Sequence, residues 1–171
     1  MFRQRQKHQM KKVLTSNKIP LETRIRILKC YVWSTLQYGA ETWTIGKAMC
    51  KRLSAFELWT YRRILKISWK DKITNEDVLK RVNAKNRLIK IIQTKKLKYF
   101  GHISRQNGSS LHRIILDGKV DGTKSRGRPR TSWSSNVVKW TGLLYHQAVR
   151  IAQNRKEWRA IASNPQQEDG T

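Results

Sequence analysis

The chain has 171 residues, enough for one domain or two small ones with a buried core. Lys and Arg number 37 against 11 Asp and Glu, a formal charge of +26 that implies an acidic partner, nucleic acid ahead of an anionic membrane surface. No stretch reaches the ~20 apolar residues of a spanning helix, the opening MFRQRQKHQMKK has no apolar signal core, and 38% hydrophobic residues with seven Trp exclude wholesale disorder.

Residues 1–18 are polar, basic and free of acids, and read as a flexible N-terminal segment. A helical region is expected over 19–105. In IPLETRIRILKCYVWSTLQYG, Pro20 suits a first helical turn and Glu22 complements the positive end of the helix. Leu21, Ile25, Leu28, Val32 and Leu36 fall on one face, and Gly39 is the expected stop. A second helix begins after Thr44. It carries two apolar stripes, Met49, Leu53, Phe56, Thr60, Ile64 and Ile67 in one and Leu58, Tyr61 and Leu65 in the other. Neighbours on two sides would make it the central helix, with Lys51, Arg62 and Lys66 on the remaining face.

ITNEDVLKRV starts a short helix through Val82, with Thr74 as N-cap and Asp77 completing a capping box. The next helix runs from about Lys85 to Arg105. Leu88, Ile89, Ile92, Tyr99, Phe100 and Ile103 form its apolar face, and Arg87, Lys90, Lys98 and Arg105 lie opposite. Lys96 interrupts the apolar face, so its ammonium is expected to snorkel or the helix to bend. From Lys85 to Leu116 there are eight basic residues and no acid, which makes this stretch the first candidate for a phosphate-facing surface.

Residues 106–130 change character. Leu111 to Leu116 fits a short strand or a helical turn, and the Gly, Asp and Ser residues that follow read as a long basic loop. Helices resume over 131–163 as a C-terminal pair. Trp133, Val137, Trp140 and Leu144 mark the first, with Gly142 as a break. Leu144, Ala148, Ile151, Trp158 and Ala162 mark the last, which Arg155 interrupts. Residues 164–171 read as a flexible tail. The expected fold is an all-α bundle with one long basic loop.

The chemistry of catalysis is thinly represented. Metal-assisted phosphoryl transfer needs clustered carboxylates. Here Glu76 and Asp77 suit a helix start, Asp117 and Asp121 flank turn glycines, and no paired aspartates follow a hydrophobic strand. Cys30 and Cys50 form no CxxC pair, and His102 and His112 have no cysteine nearby, so neither a zinc site nor a disulfide framework is indicated. No catalytic residue, metal or cofactor is assigned. The Arg126-Gly127-Arg128-Pro129 sequence could place two arginines along a minor-groove floor around a small glycine, as in the AT-hook core that it resembles. The alternative is a solvated connector. Phosphate contact by Lys124, Arg126, Arg128 and Arg130 is expected in preference to sequence reading. Trp59, Trp133, Trp140 and Trp158 fit apolar stripes; Trp33 and Trp43 fit them less well and are the candidates for stacking on bases.

The blocks LETRIRILKCYVWSTLQYGAETWT, FELWTYRRILKISWKDKITNEDVL, LKYFGHISR, GKVDGTKSRGRPRTSW and RKEWRAIA resemble, in this order, the region that follows the reverse transcriptase core in LINE-type, non-long-terminal-repeat retrotransposon proteins. The resemblance spans about Ile19 to Ala162. Tyr38, Gly39, Glu41 and Trp43 match a YGxExW pattern, and Arg126 to Arg130 match an RGRPR block. It implies a thumb-like helical unit gripping primer–template and a basic segment holding RNA or target DNA. The palm aspartates and the endonuclease's acid and His set are missing, so no RNA-directed DNA polymerase or endonuclease activity carries over to this chain alone. Met1 lies only a little upstream of the first block, which leads to the expectation of a shortened or remnant copy.

The leading expectation is thus a non-catalytic nucleic-acid-binding fragment in the nucleus or cytoplasm. DNA, RNA or a hybrid duplex would be its partner through Arg62, Lys66, Arg87, Lys90, Lys98, Arg105 and the basic loop. A polymerase core is a second expected partner, and a membrane is not. The alternative is a helical module for assembly with that core or for self-association.

Overall fold

The computed structural model describes residues 10–84, 87–118, 127 and 131–166. Among them every regular element is helical and no strand forms, as expected. The loop residues Lys124, Arg126, Arg128 and Arg130 lie outside the described set; Gly127 is exposed, with φ +135°. The chain divides into two compact units, residues 1–38 with 50–89 and residues 39–49 with 90–171.

In the first unit, residues 10–15 are helical. Helix α1 (Leu21–Ile27) continues through a π-helical segment, Leu28–Trp33, into a last turn, Ser34–Leu36. The wider π turn inserts one residue into the 3.6-residue repeat. Buried positions accordingly run Ile25, Leu28, Trp33, Gln37 in place of the expected Val32 and Leu36. Trp33 is thereby rotated into the core, 1% exposed, with its ring 6.1 Å from Tyr61. Gly39, at φ +67°, follows the helix as expected.

Helix α2 (Lys47–Leu65) buries Leu53, Tyr61 and Ile64. Arg24 donates to the Ile64 carbonyl at 2.9 Å, placing a cation at the negative end of α2. After a 3-10 turn, Trp69–Asp71, helix α3 (Asn75–Val82) buries Val78 and Val82. Thr74 caps α3, its hydroxyl oxygen accepting from Asp77 N at 3.2 Å. The Asp77 carboxylate accepts from that hydroxyl at 2.7 Å, which replaces the expected bond to the Thr74 backbone.

The second unit holds most of helix α4 (Leu88–Ser104), then α5 (Leu111–Leu116), α6 (Trp133–Thr141), α7 (Tyr145–Gln153) and α8 (Arg155–Ser163). The strand-or-turn ambiguity at 111–116 resolves as helix, capped by Ser110. The single closing helix of the sequence reading is two helices, because Asn154 ends one and caps the next. Its side-chain oxygen accepts from Lys156 N at 3.1 Å. The break also removes the apparent fault at Arg155, which is exposed in the first turn of α8. Phe100 sits in an aromatic cluster, with Trp158, Tyr145 and Trp133 at centroid distances of 5.1, 6.0 and 6.3 Å.

Candidate nucleic-acid interface

Several of the described carboxylates are engaged by neighbouring groups, although Glu57 is the one that is buried. Glu57 is fully buried and accepts from Arg87 Nε at 2.8 Å and from the Leu88 amide at 3.1 Å. Asp71 accepts from Ser68 N at 2.7 Å, and Asp77 is held by Thr74. Asp117 accepts from Arg113 Nε and from the Tyr145 hydroxyl, both at 3.0 Å; Glu157 accepts from Asn154 at 2.6 Å. Asp71, Asp77 and Glu157 are exposed and keep their charge, so the weak opposition to the surface lysines and arginines comes from numbers, 11 acids against 37 Lys and Arg.

The predicted contact residues divide accordingly. Lys66 and Lys98 are exposed and Lys90 is half-buried. Arg62 donates to the Ile73 carbonyl and the Asn75 side chain at 2.8 and 2.9 Å, bracing the turn after α2. Arg87 is bound to Glu57, and Arg105 donates to the Ala152 carbonyl at 2.7 Å. These three guanidiniums have structural partners, whereas the lysine ammoniums at 66 and 98 face solvent. Trp33 is a core residue and Trp43 is half-buried. The strongly exposed indoles are Trp59, at 57%, and Trp69, at 85%. Trp69 interrupts the run from Lys66 to Lys72, outside any apolar repeat; that placement was the available sequence signal.

Lys96 does not reach solvent, and α4 continues through it without a break. It is fully buried in the second unit, donating to the Trp43 carbonyl and Asn136 Oδ1, each at 2.7 Å. Its ammonium lies 4.5 Å from the Trp133 ring centroid and 5.5 Å from that of Trp140. Asn136 also accepts from Ile45 N at 2.9 Å and donates to Ile45 O at 2.6 Å, while Trp133 donates to the Glu41 carbonyl at 2.8 Å. Segment 39–49 is thus clamped by main-chain bonds, and Gly39, Glu41 and Trp43 lie in a structural element.

Burial lowers the Lys96 ammonium from the ordinary 10.5 to about 7, although its two oxygen partners and the indole faces favour the charged form. Between pH 7 and 10 the unfolded chain therefore binds more protons than the folded one, and stability should rise with pH. The slope is at most about 1.4 kcal/mol per pH unit. Above pH 10 the sign reverses, because burial, then Asp117, pushes the Tyr145 hydroxyl up to about 12, and burial, then Glu57, raises Tyr61 as well. Urea midpoints at several pH values should show this rise, and Lys96→Met should flatten it; an equal slope in both proteins would assign it elsewhere.

Fold and charge together define a strongly basic, all-helical chain in which, among the described residues, no group of three or more His, Cys, Asp or Glu could hold a metal ion. It is similar, at 24% identity over 149 residues, to a Caenorhabditis elegans protein described as uncharacterized and transposon-derived. The likeness covers 81% of this chain and 53% of the nematode protein, so the chain spans about half the length of that relative. It supports a transposon-related origin. No family model and no solved structure matches.

Proposed function

We propose that the chain is a non-catalytic, nucleic-acid-binding segment of a LINE-type reverse transcriptase, gripping the phosphate backbone of primer–template, RNA or target DNA. The observation that carries this reading is the asymmetry of its charges: a formal +26, 37 Lys and Arg against 11 acids, with Lys66, Lys70, Lys72 and Lys98 exposed. Mobility shifts across a salt series test it. Affinity for duplex, hybrid and structured RNA should fall steeply as salt rises, and the Arg126, Arg128 and Arg130 to Ala variant should lower the slope by about 2 to 3 if all three neutralise phosphates. Affinity that ignores salt would count against a phosphate grip. Primer extension by the chain alone should give no product.

A groove of about 220 Å³ in the first unit favours a second reading, assembly with a polymerase core or a second copy. Met10, Leu14, Val32, Phe56 and Trp59 are among its lining residues. A dimer in light scattering that is indifferent to oligonucleotide would support it.

A further inference from the structure

The turn between α2 and α3 presents an indole to solvent, and its construction shows that the exposure is imposed. Trp69 is 85% exposed at the start of the 3-10 turn. On one side Lys66, at φ +57°, closes the end of α2, with Ile67 N donating to the Arg62 carbonyl at 2.9 Å. On the other, Lys72 adopts φ +47°. Two lysines hold a left-handed backbone that glycine would adopt more readily, so the turn is fixed against local strain. Ser68 and Asp71 close a reciprocal cap around the turn, and Arg62 ties Ile73 and Asn75 back to α2. A large apolar ring is held away from the core on a braced turn.

The surroundings of that ring indicate what would cover it. Lys66, Lys70 and Lys72 are all exposed, and the turn's own acid, Asp71, is bonded to Ser68 N. Protein interface cores are depleted in lysine, whereas an aromatic face among ammoniums suits a base with its flanking phosphates. An indole cannot stack on a base already sandwiched within a duplex. We propose that Trp69, with Lys66, Lys70 and Lys72, is a stacking platform for an unpaired base, on single-stranded nucleic acid or on an overhang beside a duplex. This rests on the nucleic-acid reading above and adds a strand preference to it.

The test is fluorescence anisotropy of the full chain with a labelled single strand and a blunt-ended duplex of equal charge. Trp69→Ala should weaken single-strand binding about tenfold and leave the duplex affinity and salt slope unchanged. Trp69→Phe should retain most of the affinity, since a smaller aromatic face remains. Lys66, Lys70 and Lys72 changed together to Gln should lower the single-strand salt slope by about 2. Equal losses on both probes, or no loss on the single strand, would overturn the platform while leaving general binding intact. A wild-type chain that bound neither probe would overturn both. A Trp69→Ala change in oligomeric state with unaltered nucleic-acid affinity would make the indole a protein contact and overturn the platform.

Discussion

Gly101→Ala is expected to destabilise the fold by about 3 kcal/mol, with the opposite sign to the same change on an open helix surface. In a solvated helix interior, Ala is favoured over Gly by roughly 0.5–1 kcal/mol, through lower backbone entropy in the unfolded chain. Gly101 has no such freedom. A Cβ built there falls on Cδ1 and Nε1 of Trp158. That indole is 2% exposed, donates to the Leu97 carbonyl at 2.8 Å and packs on Phe100. It cannot retreat without losing the bond and the ring contact together. Urea unfolding measures the cost. Adding Trp158→Phe should restore part of it, because the smaller ring vacates the space the methyl group needs. Strict additivity of the two changes would mean that they do not meet.

Glu57→Ala is expected to cost a similar amount, about 3 kcal/mol, for a different reason. The Glu57 carboxylate lies at the N-terminus of α4, where the Leu88 amide donates to it and the helix end is partially positive. Leu88 is fully buried, so its amide would lose its acceptor out of reach of water. The Arg87 side chain, at 33% exposure, can turn to solvent and recover hydration, which keeps the loss below that of a fully buried pair. Glu57→Gln keeps a carbonyl acceptor for Leu88 and should cost about half as much. Urea midpoints for both variants check the order. A Glu57→Ala protein within a few tenths of a kcal/mol of wild type would show that Leu88 finds another acceptor. The same variant frees the Arg87 guanidinium, so nucleic-acid affinity at low salt should rise slightly if that face meets phosphate.

Much of the helical organisation was legible because its signals are local. Thr74 before Asn75, Gly39 after α1 and the acid-free run from Lys85 to Leu116 each act within a turn or two of chain. Non-local or irregular features were harder to read. Trp33 read as a stacking candidate because strict 3.6-residue spacing points to Val32; one π turn moves the buried position by a residue and makes Trp33 core. The division at Asn154 was hidden because apolar residues continue on both sides of it, although Asn154 with Glu157 three residues on is a local capping signal. Lys96 stood out in the sequence as a fault in an apolar face. Its resolution depends on Trp43 and Asn136, which lie 53 and 40 residues away.

By itself, the sequence determined the charge, the helical class and the scarcity of acids, because net charge is a sum over residues and helix formation depends on neighbours a few positions apart. Tertiary structure alone decided which charges remain available. Glu57 takes Arg87, Ala152 receives Arg105, and Lys96 withdraws into a setting of indoles, while Lys66, Lys70 and Lys72 stay exposed within three residues of the exposed Trp69. The physical reason is desolvation. Whether an ion faces water or must be paired inside depends on which distant segments pack over it, and that is fixed only when the chain has folded.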